Sequence, residues 1–412
     1  MNGEGPVCRL CGSTLRHTFV DLGMSPLCES YLTADQLDGL EPFYPLHVRV
    51  CEQCFLVQLP AYVPPEEIFE DYAYFSSYSD TWVEHAARFT EMIVERLRLS
   101  EDSFVVEIAS NDGYLLKHFV ERGIPSLGVE PATNVAAAAI EHGVPTLVSF
   151  FGAETARDLA GDRRADLLIG NNVIAQVPDL DDFVEGMKLL LDERGVVTVE
   201  FPHLIRLIEG NQFDTIYHEH FSYFSFHTAC RIFEKHGLEV FDVEELPTHG
   251  GSLRVYAHHL EDTSQALSPR VAELARRERA AGVTSLDYYS SFGRQVEETK
   301  RQILDFLIAV KREGQTIVGY GAPGKGNTLL NYCGIRADFL DYTVDRNPYK
   351  QGLFLPGTHI SIFPPERIAE TRPDFVLILP WNLRDEIVAQ LSYVRDWGAK
   401  FVVPIPELEV LT

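Results

Sequence analysis

Nowhere in these 412 residues do apolar side chains run unbroken for the roughly 18 positions that a membrane-spanning helix needs. Positive charge is scarce as well: 35 Lys and Arg stand against 61 Asp and Glu, a formal charge of -26. Such an excess repels phosphate backbones and anionic lipid, so neither nucleic acid nor a membrane is an expected partner. It does not exclude a local pocket for a small phosphorylated substrate. The opening Met1-Asn-Gly-Glu-Gly-Pro lacks the basic and apolar regions of a signal peptide. A cytoplasmic protein with reduced cysteines is the expectation. Low-complexity segments are missing, and the apolar and charged fractions, 45% and 23%, fit an ordinary globular chain long enough for two or three domains.

What is present is order of two kinds. Residues 80–99 carry apolar side chains at helical spacing. From 104 onward short β-branched runs alternate with helical stretches. Strands are expected at Phe104–Ile108, Ser126–Val129, Asp166–Ile169 and Val196–Glu200, with helices at Gly113–Arg122 and Thr133–His142. A late strand is expected at Leu253–His258, and 265–312 reads as largely helical. A second, smaller alternation begins at Thr316–Tyr320 and runs through Tyr342–Val344, Phe375–Leu379 and Phe401–Val403. The pattern predicts an α/β protein with a doubly wound, Rossmann-like central domain and a smaller α/β unit at the end.

Four of the seven cysteines are paired by spacing, Cys8-Arg-Leu-Cys11 and Cys51-Glu-Gln-Cys54. Two such turns supply the four soft ligands of a tetrahedral zinc site, and a full complement of Cys leaves no open position, so the metal is expected to be structural. Unmetallated thiols and a redox pair are the alternatives, and the paired spacing favours zinc. Cys28, Cys230 and Cys333 are scattered and read as buried, inert thiols.

The run Val105-Val-Glu-Ile-Ala-Ser-Asn-Asp-Gly113 is a strand that ends in an acid, followed by a loop whose backbone can approach a ligand. Glu107 can hold a ligand's polar tail, and Glu130, at the end of the next strand, can accept hydrogen bonds from a ribose diol. Ala109 and Asn111 stand where a dinucleotide loop has glycine, which disfavours a pyrophosphate and favours S-adenosylmethionine. An ordinary βα turn with exposed acids is the alternative.

Three segments carry a family resemblance: Glu107-Ile-Ala-Ser-Asn-Asp-Gly-Tyr-Leu-Leu, Gly170-Asn-Asn-Val-Ile-Ala, and Tyr217-His-Glu-His-Phe-Ser-Tyr223. They resemble the sugar C-methyltransferases of antibiotic deoxysugar pathways. Tyr72-Ala-Tyr-Phe-Ser-Ser-Tyr-Ser79, Thr248-His-Gly-Gly-Ser-Leu-Arg254 and Gly319-Tyr-Gly-Ala-Pro-Gly-Lys-Gly-Asn-Thr328 extend the resemblance over almost the whole chain. It implies a zinc-binding domain over 1–72, a methyltransferase domain over 73–262, and a helical connector with a C-terminal domain over 263–412. It implies S-adenosylmethionine held by Glu107, Ala109, Ser110, Asn111, Gly113, Glu130, Asn171 and Asn172. The substrate implied is a TDP-linked 4-keto-deoxysugar, methylated beside its ketone, at C-3 rather than C-5, by a monomer. Tyr74, Tyr78, Gln176, Arg254, Gly321, Lys325 and Asn327 are then expected at that substrate.

Methylating such a carbon requires a base and a donor for the developing oxyanion. Tyr217-His-Glu-His220 supplies both kinds of group. In an extended segment Tyr217 and Glu219 would share one face and the two histidines the other, whereas a turn or kink could bring three together. The resemblance makes His220 the base, with Tyr217 at the enolate oxygen and Glu219 orienting a neighbour; a polar strand end with satisfied histidines is the alternative. Many relatives place histidine where this chain has Gln176, so a proton relay through that imidazole is missing here.

Gly319, Gly321 and Gly324 formally match a dinucleotide fingerprint, with Asp345 at the end of the next strand. The loop can face phosphates of the substrate through its N–H groups and Lys325, or it can hold NAD(P)H. The second case would make the chain a 4-ketoreductase of the same sugar, with Tyr72, Tyr74 or Tyr78 as proton donor. A third alternative is a non-catalytic zinc-ribbon partner protein.

Overall fold

The computed structural model describes residues 5–69 and 75–411, and Tyr72 and Tyr74 lie outside them. The chain divides into two compact units. The first comprises Met1–Arg16, Cys51–His203 and Phe221–Leu286; the second comprises His17–Val50, Leu204–His220 and Asp287–Thr412. These boundaries do not coincide with 1–72, 73–262 and 263–412. Both cysteine pairs fall in the first unit, and the segment between them falls in the second.

The first unit is built on a seven-stranded sheet ordered Leu238–Leu246, Ser252–His259, Leu191–Pro202, Ala165–Asn171, Val105–Ile108, Ser126–Val129 and Thr146–Leu147. The last five run parallel, and the two at the other edge are antiparallel. Its central strands are buried on both faces, so their side chains alternate between two cores. Val105, Leu167, Ile169 and Val196 pack with Ala86, Phe89 and Ile93 of the helix Asp80–Leu97. Val106, Leu168 and Val197 point the other way, into a core with Phe183 and Met187 of helix Leu180–Leu190 and Ile232 and Phe233 of helix Phe226–Lys235. Cys8, Leu10, Cys51, Cys54 and Leu56 belong to that second core.

One expectation needs correction here, and one strand was not foreseen. The helix predicted over Gly113–Arg122 is confined to Lys117–Val120, because Asn111 (φ 50°) and Gly113 (φ 77°) hold the chain in left-handed turns first. The edge strand Leu238–Leu246 has no counterpart in the sequence reading. Its acids hide the pattern, and arginines pair with them: Asp242 with Arg96 at 2.7 Å and Arg270 at 2.5 Å, Glu244 with Arg254 at 3.4 Å.

Glu278, 2% exposed on the helix Pro269–Ala281, is buried with three partners. It meets His203 Nε2 at 2.7 Å and accepts from the N–H groups of Phe226 at 2.7 Å and His227 at 2.8 Å, the first turn of the helix that follows.

The second unit has a six-stranded sheet ordered Ile362–Phe363, Thr343–Val344, Ile317–Tyr320, Phe375–Ile378, Lys400–Val403 and Glu409–Leu411, parallel except for the last pair. The antiparallel pair His17–Ser25 and Tyr44–Val50 also belongs to it. Phe19 of that pair stacks on Phe292, at 4.6 Å between centroids, at the start of the helix Phe292–Arg312.

Candidate active site

The four paired cysteines converge, with their sulfurs all within 4.8 Å of one another. Cys8 and Cys54 are 3.4 Å apart, Cys11 and Cys51 3.5 Å. Zinc–thiolate bonds of about 2.3 Å in a tetrahedron separate sulfurs by about 3.8 Å, so the cluster has the size and chemistry of a zinc site. The two knuckles repeat one turn: Gly12 N donates to Cys8 O and Phe55 N to Cys51 O. Both turn residues are left-handed, Gly12 at φ 73° and Phe55 at φ 64°. Gln58 Nε2 lies 3.1 Å from Cys8 Sγ. With all four positions filled by cysteine, the zinc is structural.

At the C-terminal edge of the parallel strands, Glu107, Asp112 and Glu130 gather three carboxyl groups. Burial, then Asp112 and Glu130, push Glu107 well above the ordinary carboxylate range. Burial raises Glu130 too, although it accepts from the N–H groups of Ala132 and Asn111, each at 2.9 Å. The loop between is tightly turned. Ala109 (φ 55°) and Asn111 (φ 50°) adopt the backbone that glycine would take, and a Cβ on Gly113 would come within 2.9 Å of Val144. Ser76 N and Ser77 N donate to Asn111 Oδ1 at 2.9 Å and Asp112 Oδ2 at 3.1 Å, which fastens the turn Ser76–Tyr78 onto the loop. Tyr78 is 55% exposed there, tilted against Phe75.

Several acceptors along this edge are buried without a protein partner: Glu107 Oε2, Ser110 Oγ, Asp112 Oδ1, Asn171 Oδ1 and Asn172 Oδ1. Buried acceptors without donors are costly, and crowded acids without a cation more so. S-adenosylmethionine brings an ammonium, a sulfonium and hydroxyl donors, whereas a dinucleotide brings more negative charge. The residues fit the former. Asn172, at φ 55° just beyond the strand end, lies 3.4 Å from His249 Nε2 through its Nδ2. His249 is itself left-handed, at φ 53°, and packs edge-on to Trp82.

Gln176 ends the short turn Ile174–Gln176, its N–H bonded to Val173 O. Arg254 is 4% exposed, and its guanidinium is already engaged: Glu200 at 2.8 Å, Glu244 at 3.4 Å, and the Phe89 ring at 4.4 Å. Burial opposes ionisation of Glu200, but His85 and Arg254 hold it down to about 2.

The tetrad lies in the second unit and forms a turn, where the sequence allowed an extended run. His220 N donates to Tyr217 O at 3.0 Å, and the two rings approach to 4.3 Å. His220 Nδ1 lies 3.1 Å from the Thr215 carbonyl, so Nδ1 carries the hydrogen and Nε2 is the basic nitrogen. His218 plays a different part. It is 3% exposed, Nε2 sits 3.2 Å from Pro45 O, and burial lowers its basicity. Glu219 is 5% exposed and accepts from Cys28 Sγ at 3.3 Å. Cys28 is therefore a partner of the tetrad as well as a buried thiol. No motif marks it, and the contact spans 191 residues. The residue after His220, Phe221, donates its N–H to Ala175 O at 2.8 Å.

The second glycine loop is closed by its own chain. Ala322 N donates to Asp345 Oδ2 at 2.7 Å and Asn347 N to Asp345 Oδ1 at 2.8 Å, so the acid expected at a ribose is bound to backbone. Gly321 (φ 91°) faces Pro380, which a Cβ would meet at 2.6 Å. Lys325 Nζ bonds Asn382 Oδ1 at 2.7 Å and lies 4.8 Å from the Trp381 ring, and burial lowers its pKa. Asn327 Nδ2 donates to Cys28 O at 2.5 Å. Nothing here supports the ketoreductase alternative.

No helix among the described residues is long and apolar enough to cross a membrane. The chain matches a zinc binding domain over residues 8–69, a methyltransferase domain over 82–243 and a C-methyltransferase C-terminal domain over 247–406. It is 37% identical over 406 residues to the C-methyltransferase NovU of Streptomyces niveus, covering 98% of this chain and 96% of that protein. Among solved structures, a magnesium protoporphyrin IX methyltransferase of Synechocystis aligns at 13% identity and a TM-score of 0.35, over 48% of this chain and 99% of its own. A methyltransferase of Clostridium acetobutylicum aligns at 12% and 0.36, over 43% and 92%. With those domains and that full-length relative, the chain belongs to the S-adenosylmethionine-dependent C-methyltransferases, and it is an enzyme of that class.

Proposed function

We propose that the enzyme methylates C-3 of a TDP-linked 4-keto-deoxysugar in deoxysugar and antibiotic biosynthesis, with His220 as the base. The observation that carries this reading is the 3.1 Å contact of His220 Nδ1 with the Thr215 carbonyl: a carbonyl only accepts, so the hydrogen belongs on Nδ1 and the lone pair of the neutral ring on Nε2. A proton leaves the carbon beside the ketone for Nε2, and the carbon–hydrogen electron pair becomes the enolate. The Tyr217 hydroxyl serves the enolate oxygen. Glu219, a buried carboxylate one residue from His220, favours the imidazolium that forms. S-adenosylmethionine, when bound, supplies the electrophilic methyl. Glu107, Ala109, Ser110, Asn111, Gly113, Glu130, Asn171 and Asn172 hold the cofactor; the unpartnered acceptors among them support that role. The keto-sugar class is supported by the resemblance of the Tyr217–Tyr223 segment and the glycine-rich loop to sugar C-methyltransferases. Tyr74, Tyr78, Gln176, Arg254, Gly321, Lys325 and Asn327 are assigned to the sugar nucleotide.

The test is solvent deuterium exchange at the sugar α-carbon. His220→Asn is expected to slow exchange and turnover by about 10²–10⁴, the usual worth of a general base, with S-adenosylmethionine affinity unchanged. Exchange at the wild-type rate removes His220 as the base.

A further inference from the structure

Cys28 follows the strand His17–Ser25 and is 3% exposed. Burial, then the carboxylates of Glu219 and Glu29, push its thiol well above the ordinary range. It therefore stands as a neutral S–H donor to Glu219 Oε1, at 3.3 Å. A neutral donor orients a carboxylate without cancelling its charge, which an arginine in the same place would do. The thiol is held in turn by the glycine loop. Asn327 Nδ2 donates to the Cys28 carbonyl at 2.5 Å, and a Cβ on Gly324 would meet Cys28 Sγ at 2.8 Å. Three residues on, Tyr31 Oη donates to Ala322 O at 2.5 Å. Lys350 Nζ joins the same group, at 2.9 Å from Ala322 O, 2.7 Å from Tyr31 Oη and 3.1 Å from Glu29 Oε2. The loop grips residues 28–31 at both ends, and its glycine at 324 is required by sulfur.

We propose that Cys28 is a positioning residue for Glu219, and that the loop Gly321–Asn327, beside its assignment to the sugar nucleotide, seats this thiol. The proposal rests on the role given to Glu219 above and adds the device that orients it. The proton removed from the sugar still goes to His220 Nε2; Cys28 keeps its hydrogen throughout.

A double-mutant cycle tests it, with S-adenosylmethionine and TDP-4-keto-6-deoxyglucose as the probe pair. Cys28→Ala is expected to lower kcat about tenfold, the worth of one hydrogen bond to a charged group, with KM for the sugar nucleotide unchanged. Cys28→Ser, which keeps a donor, is expected to recover most of that loss. In a Glu219→Gln background Cys28→Ala should add less than about twofold, because coupled residues are not additive. Gly324→Ala should reproduce the fall in kcat if Cys28→Ala folds poorly. An equal factor in both backgrounds, or a raised sugar KM with kcat intact, overturns the proposal; the latter is what a phosphate cradle would give. A Glu219→Gln enzyme as active as wild type removes the role of Glu219 itself and this proposal with it. A substrate-free readout is the infrared S–H stretch of Cys28, identified by its loss in Cys28→Ala. It should move to higher frequency in Glu219→Gln, and a stationary band overturns the proposal whatever the kinetics show.

Discussion

Residues 107–113 and 319–327 make the same kind of joint, and they use it differently. Each follows a buried parallel strand, turns through a left-handed residue and leads into a helix. In the first, Glu107, Ser110 and Asp112 keep buried acceptors unpartnered. In the second, backbone groups are taken by the chain's own Asp345, Tyr31 and Lys350, and the one unpartnered buried side-chain atom among the described residues of the loop is Asn327 Oδ1. The glycine spacing looks more like a ligand loop in the second than in the first. The two loops therefore differ in which polar atoms are left unpaired, and glycine spacing does not report that.

The comparison breaks most easily at Glu107. Glu107→Ala is expected to weaken S-adenosylmethionine by about 1.5–3 kcal/mol, one hydrogen bond to a charged group, measured by calorimetric titration. Glu107→Gln should weaken binding yet raise the melting temperature of the ligand-free protein, because it replaces a buried acid whose ionisation burial and two neighbouring acids oppose. Its pH dependence has a definite sign. Glu107 and Glu130 both titrate above the ordinary value of 4.5. The unfolded chain ionises first, so ligand-free stability falls as pH rises from that value through the raised ones. A cation favours the ionised acids, so affinity should rise over the same window with release of protons. Affinity that is flat with pH would place the cation elsewhere.

A smaller effect is expected in the other loop. Asp345→Ala leaves the Ala322 and Asn347 N–H groups without their acceptor and should cost about 1–3 kcal/mol of stability, read from the denaturant midpoint. S-adenosylmethionine affinity should not change; if it falls in parallel, the two loops do not differ as described. The smallest effect belongs to Ala109→Gly. It relieves a left-handed alanine and should stabilise the protein by about 1 kcal/mol or less. A clear loss of stability would mean that Ala109 does not hold φ 55° in solution.

Much of this was legible beforehand, and for identifiable reasons. The paired cysteines and the alternating strands carry their geometry in their spacing. The seven-stranded sheet follows from short apolar runs such as Leu167-Leu-Ile169, whose side chains divide between two cores. Leu238–Leu246 was hidden because its acids are matched by arginines from distant helices, a compensation no local window contains. The shortened helix after Gly113 depends on left-handed backbone at Asn111, which nothing in its residue type demands. At the tetrad the residue types were readable, but their arrangement was not. The turn that brings Tyr217 onto His220, and the different partners of His218, Glu219 and His220, depend on Pro45, Cys28 and Thr215, which no local pattern marks.

Glu278 has a further consequence. The chain leaves the first unit after His203 and re-enters it at Phe221, and the excursion carries the whole tetrad. Glu278 fastens the departing end through His203 and the returning end through Phe226 and His227. It works as a clasp on a necklace whose pendant is the Tyr217–His220 turn. Opening the clasp alters none of the four side chains, yet it removes one anchor from each end of the segment that carries them.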